Sequence, residues 1–153
     1  MSVMLEIVRK FQACYYVVEP QGDRMDTETK IFVNNDLDVV MARMQARNIA
    51  REMGFSTVDQ ARISLATSEL ARVLSWAAQE SSEMIISNVT RNGSLGLQVA
   101  CLIQQKHISE GDAITQESAP QRSFAGACRL ADESNIELYD NQHARVTLIK
   151  WLK

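Results

Sequence analysis

The residues whose types and spacing could do chemistry lie on one stretch, Thr57 to Trp76, where Arg62, Leu65, Glu69, Arg72 and Trp76 recur at i, i+3, i+7, i+10 and i+14. On a helix this spacing forms one stripe, with the Glu69 carboxylate one turn from Arg72 and two turns from Arg62. On helix geometry alone the stripe reads first as a solvated, salt-bridged face. The other chemistry-bearing residues are scattered. His107 and His143 have no HxxxH or CxxC companions, and Cys14, Cys101 and Cys128 are odd in number and far apart. They read as local hydrogen-bonding imidazoles and small core residues, with no disulfide framework and no protein-built metal site.

The elements that must hold the stripe follow from periodicity and punctuation. Thr57 with Gln60 predicts a capping box after a turn at Gly54. Ala66, Leu70, Val73 and Ala77 then supply a buried face. The preceding helix is capped by Asn35 or Asp36, buries Val39, Ala42, Ala46, Ile49, Ala50 and Met53, and ends at Gly54. Its Arg43, Arg47 and Arg51 stack at i, i+4 and i+8, either a solvated row or a partner-binding ridge. Strands are predicted at Phe11 to Val18 and at Lys30 to Val33. Two more, Glu83 to Arg91 and Ser94 to Ile103, flank Asn92-Gly93, the strongest short hairpin signal. Gln104 to Arg122 reads as a long polar loop, Ser123 to Glu133 as a short helix, and Ile136 to Tyr139 and Ala144 to Trp151 as strands. The expected architecture is α+β, a two-layer sandwich of a mixed, mostly antiparallel sheet covered on one face by helices.

Composition sets the outer bounds. At 153 residues, with 46% hydrophobic and 23% charged residues, the chain fits a single core that needs no disulfide or metal. A net charge of −3 gives no reason to expect nucleic acid or an acidic membrane as partner. No apolar run reaches the roughly 20 residues that span a bilayer, and Met1 to Lys10 lacks the order of a signal peptide, so a cytoplasmic location is expected.

At Phe55-Ser56-Thr57-Val58-Asp59-Gln60-Ala61-Arg62-Ile63 and Ser68-Glu69-Leu70-Ala71-Arg72 the chain closely resembles the switch-protein serine kinases of the bacterial stressosome, the RsbT kind. More distantly it is similar to the anti-sigma-factor kinases. These share a Bergerat-type ATPase fold with histidine kinases, gyrase and Hsp90. Gly126-Ala127-Cys128-Arg129-Leu130-Ala131-Asp132-Glu133 and the ending Ile149-Lys150-Trp151-Leu152-Lys153 resemble the family's tail. The resemblance runs over residues 30–153. Residues 1–29 stand outside it and read as an extension, a candidate extra strand or homodimer contact.

The resemblance implies a nucleotide site in three parts. Glu69 takes the place of the general base that activates the acceptor serine, followed one turn later by Val73 where the family has a magnesium-ligating Asn. Arg72 lies between them. On the family's Asp-x-Gly-x-Gly strand end, Ile103 falls at the adenine-binding Asp, and Gln105 and His107 fall at the glycines. The glycine-rich lid is replaced by Glu117 to Ser123, leaving Gly126 inside the helix. An unpaired adenine amine costs roughly 1–3 kcal/mol, and a residue forced into a glycine-only conformation roughly 1–2 more. About 4 kcal/mol moves a micromolar ligand to millimolar. The expectation is therefore a pseudokinase that needs no cofactor and works by binding partners, a STAS-domain antagonist or another regulator, through Arg43, Arg47, Arg51, Arg62 and Arg72. The alternative is an active kinase that uses ATP and magnesium to phosphorylate a STAS-domain protein on serine.

Overall fold

The computed structural model describes residues 28–76, 82–104 and 119–153. Strand β1 (Glu28–Val33) leads into helices α1 (Asp36–Met53) and α2 (Thr57–Trp76). Hairpin strands β2 (Ser82–Arg91) and β3 (Ser94–Gln104) follow, then helix α3 (Ala119–Leu130) and strands β4 (Glu133–Leu138) and β5 (His143–Trp151). The expected strand at Phe11 to Val18, the residue Ala77 and the greater part of the expected loop lie outside the described residues.

Local chemistry accounts for the boundaries. The Asn35 side chain accepts from the Asp38 N–H at 3.0 Å, which satisfies one orphan donor at the start of α1, while Asp38 Oδ2 accepts from the N–H of Asn34, just before the cap, at 2.8 Å. At its other end Gly54 adopts φ 94°. The Gly54 N–H donates to Arg51 and the Phe55 N–H to Ala50, which closes a Schellman motif and turns Phe55 into the core. Helix α2 begins at Thr57 as expected, but its cap is Ser56. Ser56 Oγ accepts from the Asp59 N–H at 3.1 Å, and the Gln60 amide reaches back to the Phe55 carbonyl at 2.8 Å. With two adjacent hydroxyl residues, the one that precedes the first helical residue takes the cap. Asn92 at φ 51° and Gly93 at φ 81° make the two-residue turn that joins β2 to β3.

The five strands lie in the order β1-β2-β3-β5-β4, and every pairing is antiparallel, so the parallel component of the expected mixed sheet is absent among the described strands. One face is covered by a helical layer in which α2 packs between α1 and α3. Met84, Ile86, Leu97, Val99, Cys101, Ile103, Val146 and Leu148 from the sheet meet Leu70, Val73, Leu74 and Phe124 from the helices in a single core. Full burial of each such side chain contributes about 1.5–3 kcal/mol. Burial also pushes the Cys101 thiol up to about 12, which leaves it an inert core residue, and Cys128 is buried too. Two buried hydroxyls on α2 are satisfied by their own helix, Thr67 donating to Ile63 and Ser68 to Leu65, while Ser64 donates to the Arg43 carbonyl of α1.

The bounds of two elements move. Helix α3 starts at Ala119, before the expected Ser123, because a proline in the first turn needs no N–H partner and Pro120 therefore does not interrupt it. It ends at Leu130, and Glu133 opens β4, which stops at Leu138 and leaves Tyr139 outside the strand.

Candidate functional site

Glu69 and Arg72 form an ion pair one turn apart on α2, at 2.8 Å, with the Glu69 side chain 19% and the Arg72 side chain 44% exposed. Arg62 does not join them. Its guanidinium lies 3.2 Å from Asp59, one turn earlier on the same helix. The stripe is thus two separate intrahelical pairs, and Glu69 is a shielded carboxylate with one cationic neighbour.

Val73 and Ile103 are 0% and 1% exposed and belong to the same core as Phe124 and Ala127 of α3. Neither side chain has an atom that can ligate magnesium, which demands near-octahedral oxygen, or accept from an adenine amine. The residues at these two positions do not fit the group that the resemblance implies. Gln105 and His107 lie outside the described residues. Gly126 sits on α3, where an added Cβ would meet no atom within 4 Å, so no close approach in this structure requires glycine there. Among the described residues no group of three or more His, Cys, Asp and Glu side chains could hold a metal ion. No helix there is long and apolar enough to cross a membrane. His143 lies 3.1 Å from the Asp140 carboxylate, which the Gln142 and His143 backbone N–H groups, with the imidazole, hold below the usual carboxylate range.

A second charged constellation was not foreseen. Lys150 on β5 is only 8% exposed. Its Nζ lies 2.8 Å from Asp132 Oδ1, in the α3–β4 link, and 3.7 Å from Asp59 Oδ1, on the first turn of α2. Asp132 Oδ2 accepts from the Trp151 N–H at 2.8 Å. Burial pushes the Asp132 carboxyl up, but the hydrogen bonds from Lys150 and Trp151 and the charges of Lys150 and Lys153 outweigh it and hold it below its ordinary value. Alongside, Arg91 Nη1 donates to both Glu133 carboxylate oxygens, at 3.1 and 2.9 Å, and the guanidinium lies 4.8 Å from the Trp151 ring, whose Nε1 donates to Glu133. Gly96 lets that ring lie flat on β3, since a Cβ there would stand 2.8 Å from Trp151 Cε3. The sequence signal was Lys150 in register with Val146 and Leu148 on the inward face, where a buried ammonium requires a carboxylate. This constellation fastens the start of α2, the end of α3 and the last strand to one another.

Arg43, Arg47, Arg51 and Arg62 are all exposed. Arg51 bonds to Asn48 at 3.2 Å. Arg43 and Arg47, with Met44 of α1 and Ala61, Ser64 and Leu65 of α2, line an open cleft of about 410 Å³ between the two helices.

An α+β domain of two layers, carrying Glu69 paired to Arg72 on its central helix, is the scaffold expected of the switch-protein serine kinases. No family model matches the chain. It is 31% identical over 134 residues to the "Serine/threonine-protein kinase RsbT" of Bacillus subtilis (strain 168), a match that covers 84% of this chain and 100% of that protein. The chain belongs to the RsbT family of serine/threonine-protein kinases.

Proposed function

We propose that this chain is a regulator of the stressosome or anti-sigma partner-switching kind that acts by binding other proteins, as a pseudokinase with lost or weak nucleotide binding. The observation that supports this reading is the burial of Val73 and Ile103 in one core with α3, at the positions that match the family's magnesium and adenine contacts. The same positions argue against a conserved catalytic use of Glu69, whose ion pair with Arg72 needs no ligand to explain it. Partner binding through a STAS-domain antagonist fits the family's switching habit and the exposed arginines of α1. Affinity capture with the full chain from its native cell, read by mass spectrometry, is expected to recover a STAS-domain protein. Recovery of none sinks the partner-switching reading.

The alternative is an active Mg-ATP-dependent protein-serine kinase. Two observations favour it: the relative from Bacillus subtilis is named a kinase, and Glu69 is retained in a partly shielded setting. Phosphate transfer from labelled ATP to a STAS-domain protein, lost in Glu69→Gln, would establish it.

A further inference from the structure

Helix α1 carries two apolar stripes. Val39, Ala42, Ala46 and Ala50 face the core. On the opposite side Leu37, Val40, Met41 and Met44 recur at i, i+3, i+4 and i+7, and they are 68%, 42%, 44% and 53% exposed. A helix that is apolar on both sides is ordinarily covered on both. Isolated surface hydrophobics need no explanation, but four in helical register form a contiguous apolar ridge of the kind that helix-in-groove contacts use.

Charge indicates what covers it. Arg43 and Arg47 border the stripe and line the cleft toward α2, where Leu65, 47% exposed, continues the apolar surface. Neither arginine has a carboxylate partner among the described residues, whereas Arg62, Arg72 and Arg91 each have one. Among the described residues these two guanidiniums have no carboxylate, on a chain whose net charge is −3. A matching surface offers apolar side chains to the stripe and carboxylates to the arginines, which fixes register and favours encounter. Methionines at the centre suit such a contact because they repack around differing shapes.

We infer that the outer stripe of α1, with Arg43 and Arg47, docks a protein partner whose contacting face is apolar and bordered by carboxylates. The inference rests on the partner-binding reading and names the surface that serves it. The full-length chain is titrated with a synthetic helical peptide whose leucine stripe is bordered by glutamates, and with a twin carrying lysines instead. The glutamate peptide binds, more weakly as salt rises, and the lysine peptide does not. Met44→Asp and the pair Arg43→Glu with Arg47→Glu each weaken binding at least tenfold, with unchanged thermal unfolding because all three side chains are exposed. Equal binding of the two peptides, or unaltered binding by the variants, overturns the inference. So does preferential binding to anionic lipid vesicles, or a dimer in gel filtration that Met44→Asp dissolves, since then a membrane or a second copy covers the stripe. If a STAS-domain protein binds parent and variants equally, partner switching stands and this docking surface falls. If the glutamate peptide binds as described and no STAS-domain protein does, the surface stands and the STAS assignment falls.

Discussion

Val73→Asn places an amide where the family's magnesium ligand would be, and the structure predicts that it damages the fold without creating a site. Val73 is fully buried on α2 in the core that Ile103 and Phe124 share. Losing the valine's burial costs about 1.5–2 kcal/mol, and an amide left without partners in that apolar setting costs about 1–3 kcal/mol more. The loss expected is therefore about 2.5–5 kcal/mol, a large part of the roughly 5–15 kcal/mol by which domains are typically stable. Urea unfolding of parent, Val73→Asn and Val73→Ala measures it, with Val73→Ala expected to lose less because it strands no polar group. Calorimetry on the folded Val73→Asn protein should give no heat with Mg-ATP, because Ile103 still stands where the resemblance implies an adenine-binding Asp. A Val73→Asn protein as stable as its parent, or one that gains micromolar Mg-ATP affinity, would refute the reasoning by showing that space and ligand contacts exist beside residue 73.

Three further outcomes follow from the geometry. Gly126→Ala should raise stability by about 0.5–1 kcal/mol in urea unfolding, since a Cβ there meets nothing and alanine is the better helix former; a loss would show that the glycine is needed for close approach. Gly96→Ala should cost about 1–3 kcal/mol, because its Cβ would stand 2.8 Å from the Trp151 ring and 3.1 Å from the Lys150 carbonyl, and a red shift in tryptophan fluorescence as the ring is displaced toward water would accompany it. Asp132→Asn should lose about 2 kcal/mol at pH 7 through its bonds to Lys150 and Trp151. Because the folded Asp132 pKa is depressed, that stability is present above the unfolded carboxylate value near 3.8 and disappears as pH falls through the folded value. Parent and Asp132→Asn should therefore converge in stability once the pH has fallen below the folded Asp132 value, and a gap that stays constant through acid pH would contradict the pairing.

Features that depend on one residue's conformational freedom were readable before the structure. Gly54 at the end of α1 and Asn92-Gly93 between β2 and β3 occupy positive φ, which few other residues tolerate, so those boundaries fell where expected. The inward stripe of α1 was legible for a similar reason, being regular and rich in alanine. What escaped was whatever depended on a choice between equivalent local signals or on distant residues. Ser56 and Thr57 both satisfy a capping pattern, and only the path of the chain out of Gly54 selects Ser56. The Lys150 constellation joins Asp59, Asp132 and β5, three places far apart in sequence, so no local pattern brought its members together. Arg62 was placed with Glu69 on helical spacing, but Asp59, nearer along the same helix, takes it. At the candidate site, Val73 and Ile103 were identified through the resemblance, while their burial in one core required the fold.

The central claim is that the family's scaffold is kept and its nucleotide contacts are not. Calorimetric titration of the full-length chain with Mg-ATP tests it most directly. The account predicts no saturable heat up to millimolar nucleotide, whereas saturable heat at micromolar Mg-ATP would contradict it and restore Glu69 as a working base.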